Sequence, residues 1–188
     1  MPAHTTFVSI CNLALTELGA ANPPLTNLSD NTKAGRACNR IYLQARDQTL
    51  RDHPWNFALA RASLAADTTA PLWEYTNAFP FPTGCLRIIE CDTTEEWVVE
   101  GQSILTDAAA PLNIIYINSI DDPTLFDSLF VEAYAAKIAA EIAYDITASR
   151  GVANDMIALY QSKLQSARLV DAQESLSADE TNWLEARA

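Results

Sequence analysis

At 188 residues the chain is long enough for one substantial core and short for two independent domains. With 49% hydrophobic and 19% charged residues it reads as a globular protein, and only five glycines argue against a turn-dense barrel or a repeat array. The net charge of −12 argues against tight nucleic-acid binding, which needs Lys and Arg to neutralise phosphates.

The spacing predicts a first helix over about Thr6–Leu18, with Thr5 as N-cap and Gly19 just past its end. Phe7, Ile10 or Cys11, Ala14 and Leu18 form its apolar face. A loop with Pro23 and Pro24 follows, and Asp30 is placed to cap a second helix that reaches about Asp52. Ala34, Ala37, Cys38, Ile41 and Ala45 form its apolar stripe; Lys33, Arg36, Arg40, Gln44, Asp47 and Arg51 form the opposite one. Pro54 disfavours helical geometry at His53, and Trp55 and Phe57 then point the same way if the chain runs extended.

From Trp55 to about Ile117 the period changes. Phe57–Leu64, Leu86–Cys91, Glu96–Glu100, Ser103–Thr106 and Asn113–Ile117 read as strands, with a hairpin turn at Glu100-Gly101-Gln102. Pro80 and Pro82 put Phe79–Thr83 at an edge or in a loop. Helical texture returns after Asp121-Asp122-Pro123, with Asp122 as the expected cap. The third helix, about Thr124–Thr147, is apolar around so much of its circumference that it is expected between several partners. The fourth runs from about Val152 to Glu174, with Ala153, Ile157, Tyr160, Leu164 and Ala167 as a packing seam. The expected fold class is α+β, mainly helical: a four-helix bundle with a small antiparallel β-sheet inserted between the second and third helices. Residues 1–174 form a single domain (bundle over 5–53 and 122–174, insertion over 55–118), and 175–188 an acidic tail.

Charge is uneven. Residues 1–65 carry six basic and four acidic groups; residues 66–188 carry six basic and twenty acidic ones. An acidic body suits a surface past which DNA slides, and it equally suits plain solubility. The low charged fraction points to surface buried in an assembly. Cys11, Cys38, Cys85 and Cys91 form no metal motif and the histidines are His4 and His53, so no metal or cofactor is expected. Cys11 and Cys38 read as reduced core thiols. The N-terminus has no basic region of a signal peptide, and no stretch approaches the ~20 apolar residues of a membrane span, so a cytoplasmic origin is expected.

No nucleophile is tied to His53, and neighbouring carboxylates such as Glu95-Glu96 point to opposite faces of a strand. With no P-loop, dinucleotide-binding glycines, zinc helix or nucleophile elbow, no enzyme is expected. Lys33, Arg36 and Arg40 oppose the helix macrodipole; they read either as contacts to an acidic neighbour or as a solvated face. Trp55, Phe57 and Trp73 read as core anchors rather than a ligand box. Trp183-Leu184, in a polar terminal segment, either docks back or docks on a partner.

Several segments, in order, resemble the head-to-tail adaptor proteins of tailed bacteriophages, the group that includes tail tubular protein A of short-tailed phages. Leu15-Thr16-Glu17-Leu18-Gly19 followed by Pro24-Leu25 is similar to that family's first helix and loop. Ala37–Tyr42, Arg46-Asp47, Leu50 and Trp55-Asn56-Phe57-Ala58 resemble its second helix and aromatic corner. Trp73-Glu74-Tyr75, Phe81-Pro82 and Cys85-Leu86-Arg87-Ile88 resemble its strand start, although the family more often has Leu-Pro where this chain has Phe81-Pro82. Trp97, Glu100-Gly101 and Ile104-Leu105-Thr106 resemble its hairpin; Ile115-Tyr116, Phe126-Asp127 and Phe130 resemble its return to helix. The resemblance spans about residues 8–175 and leaves the tail unmatched.

What the resemblance implies is a structural protein of the virion, assembled as a ring, typically of twelve copies. It would join the portal protein to the downstream tail or nozzle protein and leave a channel through which DNA passes at genome ejection without specific binding. Localisation would be the head–tail junction, after assembly in host cytoplasm, with no membrane contact. The other reading is a cytosolic α+β protein-binding module unrelated to virions.

Overall fold

A computed structural model describes residues 5–175. They form an α+β fold of four helices and two small antiparallel sheets, all the strands lying between the second and third helices in sequence. The chain divides into two compact units: one from the N-terminal residues to Phe57 and from Asp121 onward, the other Ala58–Ile120.

The first unit begins with α1 (Phe7–Glu17). Its N-cap is Thr6, one residue later than expected: the Thr6 hydroxyl accepts from Ser9 N at 3.1 Å and Ser9 Oγ accepts from Thr6 N at 2.9 Å, a reciprocal box that Thr5 has no partner residue to make. Gly19 follows the helix at φ +67°, the left-handed conformation its position predicts. Helix α2 (Lys33–Asp52) is capped by Thr32, not Asp30. Asp30 instead accepts the backbone amides of Thr26 and Asn27, which hold its carboxyl below the usual range. Only glycine fits at 35, because a Cβ there would stand 2.3 Å from the Asp30 carbonyl oxygen.

On the return, Asp122 caps a single 3₁₀ turn (Pro123–Leu125), and α3 (Ser128–Thr147) starts later than expected under its own cap, Asp127. The Asp127 carboxylate reaches Leu129 N at 2.8 Å and Phe130 N at 3.3 Å. Helix α3 packs against α1, α2 and α4 (Arg150–Ser175). Phe130, Ala133, Tyr134, Ala135, Ala136, Ile138, Ala139, Ile142 and Ala143 are all buried, so its burial goes around the helix and its alanines let neighbours approach closely. The α4 seam differs from the expected one by one position. Tyr160, Leu164 and Ala167 are buried, but Ile157 is exposed, since its place on the inner face belongs to the half-buried Met156.

In the second unit the strands form two sheets, not the single one expected. β1 (Leu59–Leu64), β6 (Leu112–Asn118) and β3 (Cys85–Cys91) pair in the order β1-β6-β3. β2 (Asn77–Pro80), β5 (Ser103–Thr106) and β4 (Trp97–Glu100) pair in the order β2-β5-β4. Phe79, Ile104, Cys91, Leu112, Ile114 and Tyr116 belong to one buried cluster drawing on both sheets. Gly101, at φ +61°, closes the β4–β5 hairpin, and Pro80 ends the edge strand β2.

Candidate interaction surfaces

The aromatic corner is a packing site. Trp55 is followed by a 3₁₀ turn (Asn56–Ala58) rather than the extended chain expected, yet its ring and that of Phe57 still converge on Phe130, at 5.2 and 5.0 Å between centroids. Phe126 joins Phe130 at 5.0 Å, and Trp55 Nε1 donates to the Thr49 carbonyl at 2.9 Å. Asp171 of α4 ties the same corner down. Its carboxylate lies 3.0 Å from His53 Nε2 and accepts from Asn56 N at 3.1 Å, while its carbonyl accepts from Asn56 Nδ2 at 2.8 Å. His53 is therefore a structural link between α2 and α4. Nothing in the local sequence signals this, because its partner lies 118 residues away.

Arg46, on the buried side of α2, bridges Asp47 (2.8 Å) and Asp121 (2.6 Å). Burial opposes its charge, but the two carboxylates outweigh that and raise its pKa. Cys11 and Cys38 are buried free thiols, and their mutual hydrogen bond together with burial holds the Cys11 thiol protonated. Among the described residues no group of three or more His, Cys, Asp or Glu side chains is placed to hold a metal ion. No helix among them is long and apolar enough to cross a membrane.

The opposite face of α2 is basic and exposed. Lys33 stands in its first turn; Arg36 donates to Asn31 Oδ1 at 2.6 Å; Arg40 pairs with Asp145 of α3, both side chains remaining largely in solvent. From Asn31 to Arg46 there is no carboxylate, and Leu43, exposed, shares the face with Arg36 and Arg40 at helical spacing.

Trp73 corrects the sequence reading. It is 76% exposed, and its neighbour Leu72 is 100% exposed, so neither is a core anchor. The loop carrying them is fixed at its far end, where Asp107 Oδ1 accepts both the Thr76 amide and hydroxyl at 2.8 Å. Glu74 adopts φ +74°, a left-handed conformation that non-glycine residues hold only under constraint. Loop and sheet together border a groove of about 590 Å³ whose floor is the outer row Ala78–Leu105–Val98 of the β2-β5-β4 sheet, with Glu74 and Glu100 at its rim. The core burial of Trp55 and the exposure of Trp73 depend on which elements cover them, which spacing within one segment does not encode. Trp183 and Leu184 lie outside the described residues.

No family model matches the chain, and no curated protein matches it in sequence.

Proposed function

We propose that this protein is a structural head–tail adaptor of a tailed bacteriophage, forming a ring, dodecameric in stoichiometry, that joins the portal protein to the downstream tail or nozzle protein. In this reading the four helices act as a bundle and Ala58–Ile120 is the β-insertion presented to a neighbour. The observation that carries it is the aromatic corner. Trp55 and Phe57 on one side and Phe126 and Phe130 on the other, from two segments of the adaptor resemblance some seventy residues apart in sequence, pack on each other in the first unit. The two exposed surfaces of opposite character, the basic face of α2 and the acidic-rimmed groove, supply the unlike faces that a head-to-tail ring needs. An excess of carboxylates suits a channel that passes DNA without retaining it. The role is structural, with no catalytic step.

Native mass measurement of the purified protein, with and without its phage's portal, tests the reading. A ring or a complex with twelve copies per portal ring is the expected result. A protein that stays monomeric and also ignores the portal overturns it.

A further inference from the structure

We infer that consecutive copies of this chain meet through a head-to-tail contact in which the Leu72–Trp73 loop and acidic groove of one copy seat on the basic face of α2 in the next. This contact rests on the ring reading above and goes further by assigning its two faces.

Each face lacks what the other offers. On the groove side, Leu72 is fully exposed and Trp73 about three-quarters so, an aliphatic and an aromatic anchor held in solvent beside Val98 and Leu105. Tryptophan is among the residues that dominate interface energetics once desolvated, and the leucine adds apolar area beside it. Glu74 and Glu100 stand at the rim, and the unit they belong to, Ala58–Ile120, holds eight carboxylates against two arginines. A rim of that sign selects a cationic partner with an apolar centre. On the α2 side, Lys33, Arg36 and Arg40 project from a helix segment free of carboxylates, with the exposed Leu43 on the same face. The contacts these cations make inside their own copy, Arg36 to Asn31 and Arg40 to Asp145, lie at the surface and can be exchanged for better-desolvated ones.

Complementarity also fixes the symmetry. A two-fold pairing of either face with itself would set carboxylate against carboxylate or cation against cation. The groove-to-helix contact joins unlike faces, so every copy keeps one of each for the next, the heterologous pairing from which a ring is built when its rotation closes.

Charge reversal with rescue tests this. Sedimentation velocity over a range of concentrations is run on the full chain, on Arg36→Glu/Arg40→Glu, on Glu74→Lys/Glu100→Lys, on Trp73→Ala, and on an equimolar mixture of the two reversed proteins. All the substituted side chains are exposed, and circular dichroism checks that each variant is folded. The expected result is concentration-dependent association of the full chain, weakened at least about tenfold in each variant, with association recovered in the mixture. A full chain monomeric at every concentration, or reversals that leave association unchanged, overturns the contact. So does a Trp73→Ala protein that loses only portal or tail binding, since the groove would then belong to another virion component. If twelve copies still bind the portal when the reversals prove silent, the ring reading stands and only this contact falls. An unaltered chain that stays monomeric and also ignores the portal brings down the ring reading itself.

Discussion

Trp55 and Trp73 show how little residue type alone decides. Trp55 is 1% exposed, its ring edge-on to Phe130 and its indole N–H satisfied by Thr49, so truncation would leave both a cavity and an unpaired carbonyl. Trp55→Ala is expected to cost about 3–5 kcal/mol, read as a lowered denaturation midpoint in urea. Trp73→Ala, by contrast, should stay within about 0.5 kcal/mol of the parent, because the side chain touches so little of its own copy. Equal losses at the two positions would refute this assignment of core and surface. Tyr134 carries a pH consequence. Burial holds its phenol neutral well above the ordinary tyrosine range, and its hydroxyl donates to the Tyr42 carbonyl. Above about pH 10 the unfolded chain releases that proton and the folded chain does not. Stability is therefore intact below pH 10 and declines above it, by up to about 1.4 kcal/mol per pH unit for this group. Tyr134→Phe should be less stable than the parent at neutral pH yet fall less steeply between pH 10 and 11. Parallel slopes for the two proteins in alkaline urea titrations would contradict this.

At the scale of elements, the helix starts show what short-range sequence encodes and what it does not. A Ser, Thr or Asp near the right place is visible at every start, but which one caps is decided by the turn that precedes it. Asp122 and Asp127 both precede helical texture. Because Pro123 opens a separate 3₁₀ turn, Asp122 serves that turn and α3 starts only after Asp127. Asp127→Ala should accordingly lower stability by about 1 kcal/mol, and Asp122→Ala by less, a ranking that thermal melts of the two variants resolve directly. The hairpin at Gly101 and the strand Ser103–Thr106 are legible because they depend on neighbours two or three residues away. The division of six strands between two sheets is not legible, since β6 pairs with both β1 and β3 across separations that no local pattern specifies. The same limit hides Asp171, whose hold on His53 and Asn56 fastens the far end of α4 to the corner after α2. The basic face of α2 was readable from spacing; the groove facing outward beside Trp73 was not, because its floor and rim come from three strands and a loop.

For the whole molecule, in the proposed head-to-tail contact, charge opposes assembly at long range and favours it at close approach. Two copies of net charge −12 repel through solvent, whereas Arg36 and Arg40 meeting Glu74 and Glu100 attract only at close approach. Salt separates the two effects, because the screening length falls from about 30 Å at 0.01 M to about 8 Å at 0.15 M and about 3 Å at 1 M. Between the first two concentrations the repulsion between whole copies is largely removed, while pairs within about 4 Å keep most of their attraction. Between the second and third the pairs weaken as well, and what persists is the apolar part contributed by Leu72, Trp73 and Leu43. Association is therefore expected to strengthen from 0.01 to 0.15 M salt and to weaken again toward 1 M. In Arg36→Glu/Arg40→Glu, which makes the net charge of each copy more negative by four and removes the contact pairs, it should instead rise steadily with salt from a weaker start. Sedimentation of both proteins at the three salt concentrations checks this, and a parent that weakens monotonically from the lowest salt would show that contact pairs, not net charge, govern the encounter of copies.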